Sequence, residues 1–345
     1  MTFFPSNTIT TDAALRDLTS ERPGTRAAAA SALAGCEPTR RGESAVALLH
    51  AIDDPDAEVR AAAALSLGEL GADGDLPDLG DLGDDGPSPT EALILRLDDG
   101  APAVRQCAAV ALARMKATAA LEPLRRALAA GPPDLRFQAA TSLVEIDPAS
   151  AAAPLTTALG DADGEVAGAA ALGLGAIGDP AAAAAIAALL EHTRPRTRFD
   201  AAYALAELGD ERAVPFLAQA TAERDLAWDA IEALEAIGRP AAEALARLVT
   251  KERALDPEHR LRAATALLAI APDHPEAPAA QRALLDPLRS WWRRRRGLAI
   301  DLLARVGGPW ATGPLEQLRN TPSGRRLADE IGEALRRIGE RAPRS

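Results

Sequence analysis

Aromatic residues are scarce: five Phe, four Trp and one Tyr in 345 residues. Val and Ile are also few beside Ala and Leu. Strands favour β-branched and aromatic side chains, so this balance excludes a mainly β fold. Cysteine is limited to Cys36 and Cys107, far apart in the chain. That excludes a disulfide framework and a cysteine-based metal site. No apolar run approaches the roughly 18 residues of a membrane span. The opening residues, Met1-Thr2-Phe3-Phe4-Pro5-Ser6-Asn7, lack the basic and apolar regions of a secretory signal. The expectation is a soluble, cytoplasmic, monomeric protein with no membrane partner.

Lysine is nearly absent too. Only Lys116 and Lys251 occur, and the remaining cations are Arg. The net charge is −12, which disfavours non-specific binding to nucleic acid or to anionic membranes as a global mode. The charge is uneven. From Arg289 onward there are 13 Arg against 6 acids, or +7, which leaves −19 for residues 1–288.

What is abundant is Ala and Leu, within a hydrophobic content of 48%. Both are strong helix formers, and small Ala side chains let helix axes approach closely. A single pattern recurs along the chain. With Val59 as position 0, position +8 is Leu67, +11 is Leu70 and +12 is Gly71. Position +8 is Leu in ten copies: Leu33, Leu67, Leu112, Leu143, Leu174, Leu205, Leu234, Leu267, Leu303 and Leu335. Position +1 is Arg in seven copies, from Arg26 and Arg60 to Arg296. Apolar residues at 0, +4, +8 and +11 form one helical stripe. Gly at +12 (Gly71, Gly178, Gly209, Gly238, Gly307, Gly339) suits the left-handed residue past a helix end. Asp147-Pro148 and Asp179-Pro180 read as caps that restart helices.

A second Ala/Leu stretch lies between copies, so each unit is helix A, turn, helix B. Such units cannot bury their apolar faces alone, so they stack. The reading is an all-α fold: an α-solenoid of about ten helix pairs over residues 11–340, with short tails at 1–10 and 341–345. The interval between Leu67 and Leu112 is the longest. It holds an insertion, 72–89, containing Asp73, Asp75, Asp78, Asp81, Asp84 and Asp85. Its spacing does not match a calcium loop and no Glu closes it, so it reads as an acidic surface loop.

The form Asp-x-x-x-x-Val-Arg-x-x-Ala-Ala-x-Ala-Leu-Gly resembles HEAT repeats, specifically the short phycobilisome-lyase type. Asp54, Val59, Arg60, Leu67 and Gly68 carry it, as do Asp161, Val166, Leu174 and Gly175. The turn Asp is clear only at Asp54, Asp99 and Asp161, and the Arg is replaced at Ala167, Ala227 and Ala328. The resemblance implies a binding scaffold whose helix B lines the concave side. It also brings in relatives that are enzymes. Deoxyhypusine hydroxylase resembles this chain in architecture and holds iron through His-Glu steps. Here His50, His192, His259 and His274 are scattered, and none is followed by Glu. A bilin-lyase-like subunit of a hetero-complex stays an alternative reading. No P-loop, nucleophile elbow or dinucleotide fingerprint is present. No metal, cofactor or catalytic residue is expected.

In a repeat protein, function sits where the stack makes no demand: here +2, +3, +6 and +10 of helix B. Repeat 4 has Phe137 and Glu145 there, repeat 6 Phe199, Asp200, Tyr203 and Glu207, and repeat 7 Trp228, Asp229 and Glu232. Aromatic faces beside carboxylates suit the Arg or Lys side chains of a basic peptide or protein partner. Those aromatics could equally pack between repeats, and the pattern leaves both open. The segment Trp291-Trp292-Arg293-Arg294-Arg295-Arg296 has a composition suited to phosphate contact. It supports an alternative as a nucleic-acid-binding or DNA-glycosylase-like protein using the basic C-terminal end. With an acidic body, the favoured reading is that the Trp pair packs between helices of repeats 8 and 9.

Overall fold

The computed structural model describes residues 9–72, 74, 86–251 and 255–341. The acidic insertion residues Asp73, Asp75, Asp78, Asp81, Asp84 and Asp85 lie outside the described residues. The chain is an α-solenoid, all-helical with ten A–B helix pairs among the described residues. It divides into two compact units, Met1–Ile177 and Gly178–Ser345. Among the described residues, no helix is long and apolar enough to cross a membrane.

The first unit holds α1 (Thr11–Asp17) with α2 (Pro23–Leu33), α3 (Arg41–Ala51) with α4 (Ala57–Gly71), α5 (Pro89–Arg96) with α6 (Pro102–Arg114), α7 (Leu121–Ala130) with α8 (Pro133–Ile146), and α9 (Pro148–Ala158) with α10 (Gly164–Ile177). The second holds α11 (Ala183–Ala188) with α12 (Pro195–Glu207), α13 (Val214–Ala220) with α14 (Ala227–Ile237), α15 (Ala242–Thr250) with α16 (Pro257–Ile270), α17 (Ala277–Leu285) with α18 (Arg293–Val306), and α19 (Pro309–Arg319) with α20 (Ala328–Arg341).

Within each unit the B helices pack in series: α2, α4, α6, α8 and α10, then α12, α14, α16, α18 and α20. The +8 leucines drive this. Nine of the ten are buried, and Leu335 on α20 is half-buried. Small residues set the spacing. A methyl group on Gly68 would come within 2.5 Å of the Ala111 backbone, so α4 and α6 meet at a separation that only Gly permits.

The repeat Arg has a second job. Arg26 donates from Nε and Nη2 to both carboxylate oxygens of Asp54, at 2.7 and 2.8 Å. Its Nη1 reaches back to the carbonyls of Ser20 and Glu21 in its own turn. Asp54 in turn accepts from the Asp56 backbone amide. The motif repeats from Arg60 to Asp99, from Arg105 to Asp134 and from Arg136 to Asp161. Each rung ties one inter-helix turn to the next through a bidentate, largely buried ion pair. The Asp134 rung departs from the sequence pattern, because this Asp sits one residue before position 0 rather than five.

Among the described residues, these four rungs lie in the first unit. In the second, Arg198 keeps the back contacts to the His192 and Thr193 carbonyls. The residue at the Asp position of the following repeat is Thr221. Ala227 and Ala328 remove the Arg altogether.

Two expectations about helix ends need correction. Of the six +12 glycines, only Gly178, Gly209 and Gly238 have positive φ. Gly71 is the last residue of α4, whose C-cap Ala72 is right-handed, and Gly339 lies two residues before the end of α20. Gly307 is extended, with φ −62°. In repeat 3 the left-handed position is taken by Lys116, at φ 47°. Asp179 caps its turn through the Ala181 amide, but Asp147 makes no side-chain cap.

Candidate partner-binding face

The B helices of the second unit carry most of the aromatic and acidic positions. On α12, Phe199 and Asp200 are buried, Tyr203 is half-buried and Glu207 is exposed. The Phe199 and Tyr203 rings are 6.3 Å apart and tilted by 42°. Phe199 is therefore part of the helix packing rather than of an open surface. Asp200 pairs with Arg196, Nε to Oδ1 at 2.9 Å, yet Oδ1 has no hydrogen-bond partner. Burial raises the Asp200 pKa above the usual carboxylate range, and Arg196 only partly opposes this.

On α14, Trp228 is 45% exposed, and Asp229 and Glu232 are exposed. These carboxylates lie near enough to Tyr203 of α12 to act on its charge. Burial lifts the Tyr203 hydroxyl above its ordinary pKa, and Glu232, Glu207 and Asp229 add to the rise. Tyr203, Glu207, Asp229 and Glu232 therefore form one acidic cluster spread over two helices.

Arg262 comes from α16 and lies over the Trp228 ring, its guanidinium carbon 3.0 Å from the centroid. Burial lowers the Arg262 pKa, and Glu258 and Glu232 oppose the shift. Beside this stack, Arg305 of α18 pairs with Glu235 of α14. Trp228, Ile231, Glu232, Arg262, Leu302 and Arg305 line a groove of about 420 Å³. Its lining combines apolar side chains, the buried Thr265 and charges of both signs. The place over Trp228 that suits a partner's cation thus already holds a cation of this chain.

Phe137, 41% exposed, and the exposed Glu145 sit on α8 in the first unit. They do not belong to the cluster on α12 and α14. Sequence reading missed Glu235, Arg262 and Arg305 as site residues. The register places Arg262 at +3 of repeat 8, among the variable positions with Leu261 and Thr265, and extending it to repeat 9 finds Arg305 at +10. Glu235 is at +9, and no position rule points to it.

The Trp-Arg segment corrects an expectation. Trp291 is 84% exposed and Trp292 49% exposed, so the pair does not pack between helices. The two indoles meet edge to face, with centroids 5.3 Å apart. Arg295 lies 5.2 Å over Trp292. Arg293, Arg294 and Arg295 are exposed, and Arg296 is half-buried. Among the described residues, no three His, Cys, Asp or Glu side chains converge on a metal position.

A family model described as HEAT repeats matches residues 12–91, 90–167 and 152–235. Comparison with curated proteins returns no match. Among solved structures, YibA of Escherichia coli is 20% identical, covers 74% of this chain and 91% of its own, and superposes with a TM-score of 0.53. A chain of the Kap95:Nup1 complex is 15% identical, with 96% of this chain and 48% of that one covered and a TM-score of 0.61. A chain of the CpcE–CpcF complex of phycocyanin lyase from Nostoc sp. PCC 7120 is 23% identical, with 82% and 97% covered and a TM-score of 0.37.

Proposed function

Because the chain belongs to the HEAT-repeat family, we propose that it is a non-enzymatic scaffold that holds a basic protein segment along α12, α14 and α16. The observation that carries this reading is the Arg262–Trp228 stack beside exposed carboxylates. It is an internal example of the chemistry proposed for the partner: a guanidinium on an indole face, with acids alongside to hold its charge. Glu207, Asp229 and Glu232 extend that chemistry along the face. A partner Arg side chain would compete with Arg262 for Trp228, or sit between the carboxylates of α12 and α14. The family likeness supports a scaffold, since the repeat residues are packing and capping residues. The Kap95 chain was solved in complex with Nup1, a precedent for partner binding on this fold.

The test is affinity purification from the native cell with the wild type and with Trp228→Ala/Asp229→Ala/Glu232→Ala. These three side chains are exposed, so the variant should keep its helical circular dichroism. Loss of one or more specific partners from the folded variant supports the reading. Recovery of the same partners in the same amounts would end it.

A further inference from the structure

The basic end of the chain carries a second surface, separate from the groove at Trp228. Residues 289–296, Arg-Ser-Trp-Trp-Arg-Arg-Arg-Arg, contain five Arg and no acid. Arg293 to Arg296 form the first turn of α18. A helix N-terminus is the positive end of the dipole, so cations there are disfavoured. Trp292 occupies the N-cap and makes no side-chain cap. Nothing about stacking the repeats calls for this arrangement. Apolar area is also left open, since Trp291 is the most exposed of the large hydrophobic residues among the described residues.

We propose that the Trp291–Trp292 pair and Arg293, Arg294 and Arg295 form a docking surface for single-stranded nucleic acid. Charge and shape argue for this occupant. Exposed indole faces stack on bases without regard to sequence, and guanidiniums hold the phosphates between them. Successive helix residues project 100° apart, so the three exposed Arg spread around the helix end. A flat bilayer meets one side of such an end, whereas a flexible strand wraps it. The rest of the chain, at −19 for residues 1–288, repels any rigid polyanion that must lie along it, which disfavours duplex DNA. Arg295 lies over the Trp292 ring and lines a cavity that holds Glu258, Glu276 and Asp286 beside Arg260 and Arg282, so its charge is already engaged. The phosphates therefore belong on the outward side, at Arg293 and Arg294, with Trp291 as the base platform.

The test is fluorescence anisotropy of a labelled 15-mer oligodeoxythymidine with the full chain, compared with Trp291→Ala, Arg293→Ala/Arg294→Ala and wild type. Binding at low salt is expected to weaken about sevenfold between about 50 and 200 mM salt, as for the two phosphates held by Arg293 and Arg294. Trp291→Ala should weaken it by about tenfold, the loss of one stacked base. All three side chains are exposed, so a circular dichroism spectrum matching the wild type verifies folding. No binding at low salt would overturn the proposal. So would binding that the variants leave unchanged, or sedimentation with phosphatidylserine vesicles in the absence of oligonucleotide binding.

Discussion

The two units are built from the same helix pair but are held together differently. In Met1–Ile177, four Arg–Asp rungs tie successive turns together. Among the described residues of Gly178–Ser345, B helices are joined instead by Arg262 on Trp228, Arg305 with Glu235, and Arg341 on the carbonyls of Ala304 and Gly307. The helix-B positions differ in the same sense. The first unit holds mostly small residues there, with Ala28 exposed, Ala61 and Ala62 half-buried and Ala27, Gly168 and Ala169 buried. The second presents most of the aromatics and acids. Where the turns are bolted, the face is mostly plain, with Phe137, Glu145 and the Arg114–Glu69 pair as its exceptions. Where they are not, the face itself carries the charges, and a ligand there would act on the same side chains that join the helices.

Breaking a rung should have the largest effect. Asp99→Ala leaves the Arg60 guanidinium without its carboxylate in a largely buried site, at a cost of about 3 kcal/mol. Arg198→Ala, which has carbonyl contacts only, should cost about 1 kcal/mol. Urea unfolding of both variants checks this, and equal losses would erase the distinction between the units.

Acid should separate them as well. Hydrogen bonds from Arg26, Arg60 and Arg136 hold Asp54, Asp99 and Asp161 below the usual carboxylate range. A lowered folded pKa gives stability that is present above the unfolded value, near 4, and lost as pH falls through the folded one. Asp200 has the opposite sign. Its folded pKa is raised, so its penalty is present at neutral pH and relieved as pH falls through the folded value. Hydrogen exchange as the pH is lowered below about 4 should therefore show the first unit loosening ahead of the second. The same reasoning gives Asp200→Asn a gain of about 1 kcal/mol at neutral pH, read by thermal unfolding. Smallest of all, Lys116→Gly should stabilise the first unit by about 0.5–1 kcal/mol, because the left-handed backbone at this position suits Gly.

The ten pairs were legible because the residues that stack the repeats recur in register, Leu at +8 above all. The rungs at Asp54, Asp99 and Asp161 were legible for the same reason. Asp134 was not, because a shorter turn after α7 moves the carboxylate four residues while leaving it in reach of Arg105. The face was legible in position and not in exposure. Position +2 is buried at Phe199 and open at Phe137 and Trp228, since exposure there depends on how neighbouring helices are offset, which no residue in the repeat encodes. The stack of Arg262 on Trp228 joins residues 34 apart in the chain, beyond the reach of a pattern read one repeat at a time. The Trp pair misled because indoles usually bury; here they sit in the turn ahead of α18, with Ser290 holding the Trp292 amide.

Hydrogen–deuterium exchange on the chain alone and in complex with its captured protein partner tests the central claim most directly. The expected result is slowed exchange in α12, α14 and α16, with α2, α4 and α6 unchanged. Slowing confined to the first unit would contradict the account.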